Sequence, residues 1–297
     1  MATDPAAPLK SFKPKHKFFV GIDSDGCAFD TMEIKHKECF IPNIIQYWNL
    51  QAVSKYAREA AEFVNLYSEW RGINRFPALT MVFDLLSERR EVQQRQVEIP
   101  KAQAVRDFIN SGLPLGNPAL KQEVQRTNNP VLIQCLQWSE AVNNTIADMV
   151  KGVPPFPFVR ESLKMLAENA DAMVVSQTPG EALCREWAEH HIDPYVAVIA
   201  GQEMGTKKEH LAFATKDKYQ PNHVLMIGDA MGDYKAAKGN NALFFPINPG
   251  HEEASWELFY NEALPKFLKN EYAGAYEDKL FNEFKIYLPN TPPWKKC

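Results

Sequence analysis

Residues 18–26 read Phe18-Phe19-Val20-Gly21-Ile22-Asp23-Ser24-Asp25-Gly26, an apolar run that ends abruptly in two carboxylates. A short, continuous apolar run is typical of a strand that is buried on both faces. Asp, Ser and Gly favour a turn at the end of such a strand. The stretch therefore predicts a buried strand over 18–22, with Asp23 and Asp25 just beyond its carboxyl end.

Further strand-like segments occur only after residue 152, where they alternate with helix-like segments. Apolar runs are found at 172–176, 195–200, 223–228 and 242–245. Short apolar strands that alternate with amphipathic helices are typical of a parallel sheet with helices on both faces. We therefore predict an α/β fold with a doubly wound parallel sheet, which the strand at 18–22 joins.

The chain between the first strand and this second half has a helical pattern. Over residues 31–151, apolar side chains recur at spacings of three and four, and β-branched runs are absent. We expect an inserted all-helical domain at 31–151 and a core formed by 1–30 and 152–250. The aromatic-rich residues 251–297 are expected to form a C-terminal helical extension packed on the core.

Composition excludes several classes of protein. Of the 297 residues, 45% are hydrophobic and 24% are charged, which is typical of a globular chain. The net charge of −4 argues against a general nucleic-acid binder. No apolar run reaches the ~18 residues that cross a bilayer, and the N-terminal residues lack a signal-peptide pattern. The five cysteines include no CxxC pair and indicate reduced thiols, so we expect a cytoplasmic protein. From the net charge and the apolar runs we expect no nucleic-acid partner and no membrane partner.

Polar side chains follow four of the predicted strands. Because the carboxyl ends of parallel strands meet at one edge of a sheet, these side chains are expected to lie together. Clustered carboxylates repel one another, and oxygen ligands of this kind favour Mg²⁺. The candidate site residues are Asp23, Asp25, Ser176, Lys207, Asp229 and Asp233. Lys208 is an alternative to Lys207, but Lys207 lies four residues before Leu211 and shares its inward helix face.

These residues resemble the motifs of the haloacid-dehalogenase-like (HAD) superfamily, in the same order. Asp-x-Asp follows the first strand, Ser176 ends an apolar strand, a lysine opens a helix within Gly205–Lys208, and Gly228-Asp229 precedes Asp233. Asp-x-Asp is common in turns, a lone strand-end Ser or helix-start Lys is usually not a ligand, and Gly-Asp-x-x-x-Asp is moderately specific. Four such motifs in this order, each after a strand, make coincidence improbable. The resemblance covers 18–30 and 155–247. The helical insertion matches the position of the family's C1 cap.

The resemblance implies a role for each residue. Asp23 is similar to the nucleophile that forms an aspartyl-phosphate, and Asp25 is similar to the general acid and base. Ser176 and Lys207 would donate contacts to the phosphoryl group. Mg²⁺ would be held by the Asp23 carboxylate, the Asp25 backbone carbonyl and Asp229, with Asp233 in or near its shell.

Asp25 also indicates the reaction type. The dehalogenase branch of the family lacks this second Asp because a halide leaves without a proton. A P-loop is excluded because Cys27 occupies the position that needs Lys. We therefore expect a Mg²⁺-dependent phosphatase that acts on a small phosphate monoester, with a small phosphorylated metabolite as its partner.

Two other functions remain open at this stage. One is a phosphomutase resembling β-phosphoglucomutase, and the other is a non-catalytic binding protein built on the same core. Substrate contacts from the insertion could come from Arg71 or Arg75, whose guanidinium groups suit an anion, although a solvated turn is an equal alternative. The sequence leaves the substrate and the oligomeric state undetermined.

Overall fold

The structure is a computed structural model that describes residues 4–295. The residues up to Thr31 together with Gly152–Leu288 form one compact unit, here called the core unit. Met32–Lys151 and the residues from Pro289 onward form a second, here called the helical unit. No helix among the described residues is both long and apolar enough to cross a membrane.

The core unit is built on a five-stranded sheet in which every neighbouring pair is parallel. Its strands lie in the spatial order β3-β2-β1-β4-β5. The predicted α/β fold with a doubly wound parallel sheet is confirmed. In chain order the strands are β1 (Phe18–Ile22), β2 (Ala170–Val175), β3 (Val198–Ala200), β4 (Val224–Gly228) and β5 (Leu243–Pro246).

The α-helices account for most of the remaining regular structure, and two π-helical turns, Lys35–Phe40 and Phe259–Ala263, connect neighbouring ones. In chain order the α-helices of the described residues are α1 (Ala7–Ser11), α2 (Thr31–Ile34), α3 (Ile41–Tyr47), α4 (Ser54–Asn65), α5 (Arg75–Ser87), α6 (Arg90–Gln94), α7 (Gln103–Asn110), α8 (Asn117–Thr127), α9 (Pro130–Met149), α10 (Val159–Asn169), α11 (Gly180–Glu189), α12 (Lys207–Thr215), α13 (Met231–Lys238), α14 (Glu252–Leu258), α15 (Leu264–Leu268) and α16 (Ala275–Tyr287).

Strand β1 is the central strand of the sheet, and its side chains alternate between two apolar layers. Val20 and Ile22 pack in one layer with Leu163 of α10. Phe19 points to the opposite layer, which contains Leu211 of α12. Both faces of β1 are therefore covered, which explains why its sequence is uniformly apolar.

The helical unit has an apolar core of its own. Residues 32–151, all of which the structure describes, contribute no strand to the sheet. The segment after Leu288 also belongs to this unit: the Trp294 ring lies 5.8 Å from that of Phe63, and the Arg89 guanidinium lies 4.5 Å from the Trp294 ring. The expected packing of all of 251–297 on the core therefore differs from the structure beyond Leu288. Aromatic side chains indicate burial but do not specify which of two apolar cores receives them.

A glycine at the end of β4 allows a close approach between the strand and the start of α13. A Cβ atom at Gly228 would lie 2.4 Å from the Cβ of Asp233. No real pair of such atoms lies so close, so any other residue at 228 would push α13 away from the strand. By contrast, a Cβ at Gly232 would meet nothing within 4 Å.

We predict that Gly228→Ala lowers the free energy of unfolding by about 1–3 kcal/mol or more, which is the usual cost of an overpacked interior. Gly232→Ala is the matched control, and it should leave stability unchanged or raise it by up to ~1 kcal/mol, because alanine favours a helix. Urea denaturation of both variants measures the difference. Equal stability of the two variants would contradict the close approach.

Candidate active site

Three buried carboxylates and one lysine meet at the carboxyl edge of the sheet. Asp23 follows β1, Asp229 follows β4, and Asp233 lies in the first turn of α13. One carboxylate oxygen from each lies within 4.8 Å of the other two. Lys207, the first residue of α12, places its Nζ 2.6 Å from Asp23 Oδ2 and 2.6 Å from Asp233 Oδ1. The topology thus joins residues that are up to 210 positions apart, from 23 to 233.

The direction of Lys207 is set by the start of its helix. Thr206 and Glu209 form a capping box, in which the Thr206 hydroxyl accepts a hydrogen bond from the Glu209 N–H. This cap places Lys207 at the first helical position, facing the carboxylates. The next residue, Lys208, is exposed, so Lys207 alone of the two lysines contacts the acidic residues.

Burial and charge act against each other in this cluster. Burial raises the pKa of the Asp23 carboxyl well above its usual range, and the Lys207 ammonium only partly opposes that shift. Burial likewise raises the pKa of Asp233. Burial alone would lower the pKa of Lys207, but the surrounding carboxylates raise it above its usual value. A buried ammonium therefore stays charged here because it is surrounded by carboxylates.

The same charges show what the cluster can bind. Three ionised carboxylates against one ammonium leave a net charge of −2 in a buried space. Like charges this close destabilise the site unless a cation or protons compensate them. The donor set consists of oxygen atoms, which suits a hard divalent cation. The residues present therefore fit a divalent metal ion.

Asp25 occupies a different position from the other three acids. Its Oδ2 accepts a 2.6 Å hydrogen bond from the Thr178 hydroxyl, and its Oδ1 accepts one from the Thr31 hydroxyl. Gly26, with φ of 72°, begins the turn that carries the chain back, and its N–H donates to Phe29 O. Asp25 lies two residues after Asp23 in the sequence, and two hydroxyl groups orient its side chain.

Ser176 lies where the sequence pattern predicts it, directly after β2. The side chain is buried, and its Oγ accepts a hydrogen bond from the Thr178 N–H at 3.2 Å. Ser176 and Thr178, which are two residues apart, thus connect the end of β2 to Asp25. Sequence reasoning missed Thr178 and Thr31. The available signal was a hydroxyl residue close to a motif: Thr178 lies two residues after Ser176, and Thr31 lies six residues after Asp25.

A further contact that the sequence did not indicate lies behind Asp23. The buried Ser24 hydroxyl accepts a hydrogen bond from Trp187 Nε1 at 3.0 Å and donates to Glu186 Oε2 at 3.2 Å. The Ser24 N–H also donates to Asp23 Oδ1 at 2.8 Å. Helix α11, which carries Glu186 and Trp187, therefore fixes the residue next to Asp23.

A comparison with known families identifies the class of protein. The sequence model of the haloacid dehalogenase-like hydrolases matches residues 86–246, more than half of the chain. The chain belongs to the haloacid dehalogenase-like hydrolase family. The resemblance inferred from the motifs is thereby confirmed, as is the expectation of a hydrolase. The match begins after β1, so the position of Asp23 in this hydrolase rests on the sheet topology.

Several solved structures are similar to this chain. One is a haloacid dehalogenase-like hydrolase described from Bacteroides fragilis, with a TM-score of 0.50 and 14% identity over 81% of this chain and 93% of that one. A protein from Lactobacillus delbrueckii subsp. bulgaricus, described as a phosphoglycolate phosphatase, has a TM-score of 0.48 and 16% identity over 88% and 100% of the two chains. No curated protein matches the sequence significantly.

The two arginines considered as substrate contacts are engaged within the helical unit. Arg71 is buried and donates to the Leu66 carbonyl at the end of α4. Arg75 donates to Ser139 O, Ser139 Oγ and Asn143 Oδ1, and burial lowers its pKa to about 10. These contacts give both guanidinium groups a structural role, and substrate binding by either stays a prediction.

We predict that Lys207→Met destabilises this hydrolase by up to ~3–5 kcal/mol, because the buried carboxylates of Asp23 and Asp233 would lose their ion pairs with Lys207. Lys208→Met is the matched control and should change stability by less than ~0.5 kcal/mol, since Lys208 is exposed. Urea unfolding at neutral pH in EDTA measures both. Similar losses for the two variants would show that the Lys207 contacts contribute no special stability.

Proposed function

We propose that this chain is a Mg²⁺-dependent phosphatase that hydrolyses a small phosphate monoester through an aspartyl-phosphate on Asp23. The observation that carries the proposal is the cluster of Asp23, Asp229 and Asp233 at the carboxyl edge of the sheet, where Lys207 Nζ forms ion pairs with Asp23 and Asp233. Ligands bind at this edge in doubly wound sheets. A non-catalytic protein would have no need to bury three carboxylates together, since such burial is unfavourable.

The proposed first step is attack by an Asp23 carboxylate oxygen on the phosphorus atom. A bond forms between Asp23 and phosphorus while the bond from phosphorus to the ester oxygen breaks. Asp25 gives its proton to the departing oxygen, so that an alcohol leaves. Lys207 and Ser176 are suited to donate hydrogen bonds to the phosphoryl oxygens as charge is redistributed.

The second step returns the enzyme to its starting state. Asp25, now a carboxylate, takes a proton from water, and the water oxygen attacks the phosphorus atom of the aspartyl-phosphate. The bond between Asp23 and phosphorus breaks, and inorganic phosphate leaves. Both Asp25 oxygens accept hydrogen bonds from Thr31 and Thr178, which stabilise the ionised form. Each oxygen accepts one of these bonds and keeps a second lone pair that can carry the transferred proton.

Mg²⁺ fits the buried acidic residues of this site. Asp23, Asp229 and Asp233 supply carboxylate oxygens, and the Asp25 backbone carbonyl follows from the family resemblance. When bound, the ion would neutralise charge on the transferring phosphoryl group. It would also offset the net negative charge among the carboxylates.

The burial of the reacting group supports a small substrate. Only 5% of Asp23 is exposed, so little of its side chain is open to an approaching phosphorus atom. A small phosphorylated metabolite meets this condition more readily than a phosphoprotein. The general acid Asp25 favours an ester oxygen as the leaving group over a halide.

We predict that Asp23→Asn and Asp23→Ala lower phosphate release by at least ~10³-fold, because both variants lack the attacking carboxylate. The measurement is phosphate release from a panel of phosphorylated metabolites and p-nitrophenyl phosphate, with Mg²⁺ or with EDTA. Asp278→Asn, a change at an exposed acid of the core unit, is the control and should retain full activity. Near-normal activity of folded Asp23→Ala would exclude Asp23 as the nucleophile, and isomerisation of a sugar phosphate without phosphate release would favour a mutase.

We predict that millimolar Mg²⁺ raises the melting temperature of the protein by several degrees. A ligand that binds only the native state at a hundredfold excess over its Kd contributes ~2.7 kcal/mol. Asp229→Asn keeps the side-chain shape but removes one charge, and it should lose most of the Mg²⁺ response. Thermal unfolding with EDTA or Mg²⁺ tests this, with Asp278→Asn as the variant that keeps the response. An unchanged wild-type melting temperature would count against the metal site.

A further inference from the structure

A polar cavity lies in the core unit, away from the acidic site. It has a volume of about 350 Å³, which is within the range of small-molecule sites. Two chain segments form its walls: the segment that leads into β1 and the loop between α12 and β4. Its lining residues are His16, Lys17, Asp217, Lys218, Tyr219, Gln220 and His223.

The cavity lies at the amino edge of the sheet. Lys17 immediately precedes β1, and His223 immediately precedes β4, its parallel neighbour. Asp23 and Asp229 follow the opposite ends of the same two strands. The length of both strands therefore separates this cavity from the candidate active site.

A buried carboxylate holds the two walls of the cavity together. Asp171 of β2 is 4% exposed. Its Oδ2 accepts hydrogen bonds from Lys15 N at 3.0 Å, His16 N at 3.0 Å and the Tyr219 hydroxyl at 2.7 Å. On the other side, the His223 ring packs 4.6 Å from that of Phe18. These contacts preorganise the cavity, which lowers the cost of binding a ligand there.

The side chains around the cavity are mostly hydrogen-bond donors and cations. Lys218 Nζ donates to Phe213 O at 2.9 Å and to Leu9 O at 3.4 Å, both neutral acceptors. Within residues 4–295, none of Lys17, Lys218 and the two lining histidines forms an ion pair with a carboxylate. Two carboxylates lie at the cavity: Asp217 lines it, and the buried Asp171 contacts both of its walls. Lys15 and Lys216, which adjoin the two walls in sequence, add further positive charge.

We propose that this cavity binds a small phosphate-bearing anion at a site separate from the candidate active site. Ammonium and imidazole N–H groups are suited to phosphate oxygens, and charged partners make such hydrogen bonds stronger. The Lys17 and Lys218 ammonium groups, which form no ion pair with a described carboxylate, would contact the ligand's phosphate oxygens. The shared chemistry is a phosphate or diphosphate group, supplied either as an inorganic anion or as part of a nucleotide.

The test is calorimetric titration of the full chain with inorganic pyrophosphate in EDTA at fixed ionic strength. In EDTA the carboxylates of the candidate active site repel the anion. The measured affinity for pyrophosphate therefore reports on the polar cavity. We expect saturable one-to-one binding, reduced at least tenfold in Lys17→Gln/Lys218→Gln. Lys17→Gln alone, at an exposed position, should reduce it several-fold with an unchanged melting temperature. A parallel titration with adenosine diphosphate distinguishes the two sources: tighter binding than pyrophosphate indicates a nucleotide, and equal binding indicates an inorganic anion.

Two controls locate the binding and keep the test independent of the proposed phosphatase activity. Lys164→Gln/Lys269→Gln removes two exposed lysines elsewhere on the core unit and should bind pyrophosphate within twofold of the wild type. Asp23→Asn should also bind it as the wild type does.

The proposal is overturned if the wild type shows no binding at millimolar pyrophosphate, or if the Lys17 and Lys218 variants bind normally. It is likewise overturned if either control loses as much affinity as those variants, or if a short single-stranded DNA binds more tightly than both anions.

Discussion

The contact of Lys207 with Asp23 and Asp233 is the interaction on which the rest of the site depends. Its Nζ lies 2.6 Å from an oxygen of each acid, in surroundings where an unpaired charge of either sign would be unfavourable. The ammonium lets carboxylates from β1 and α13 occupy one buried space, and it does not balance them fully. The remaining negative charge is what makes a divalent cation a suitable ligand.

The parallel sheet creates this contact by bringing distant segments to one edge. Strand β1 is first in sequence but central in the sheet, between β2 and β4, so Asp23 is placed beside residues that follow it by about two hundred positions. The closeness of Asp233 to β4 depends on the missing side chain of Gly228. The helical insertion lies in the connection between β1 and β2, and its residues contribute no strand to the sheet.

Much of this arrangement could be predicted because the site residues follow apolar strands or open helices. The strand at 18–22 has the bounds that the apolar run indicated, and the helix face of Leu211 gave the direction of Lys207. The hydroxyl contacts of Asp25 could not be predicted, since they depend on the turn at Gly26 and on the path of the chain after β2. Hydrophobic pattern shows that a residue such as Trp294 is apolar, but it does not show which of two cores it joins. For that reason the structure differs from the expectation that the segment after Leu288 packs on the core.

The central claim is that Asp23 carries the phosphoryl group during turnover. It is tested most directly by rapid acid quench of the wild type during hydrolysis of p-nitrophenyl phosphate with Mg²⁺, followed by peptide mapping by mass spectrometry. The good leaving group makes the first step fast, so the covalent species should accumulate. The account predicts one added phosphoryl group on the peptide that contains Asp23, absent in Asp23→Asn and in EDTA. Phosphate release at a normal rate with the phosphoryl group on another residue, or on none, would contradict it.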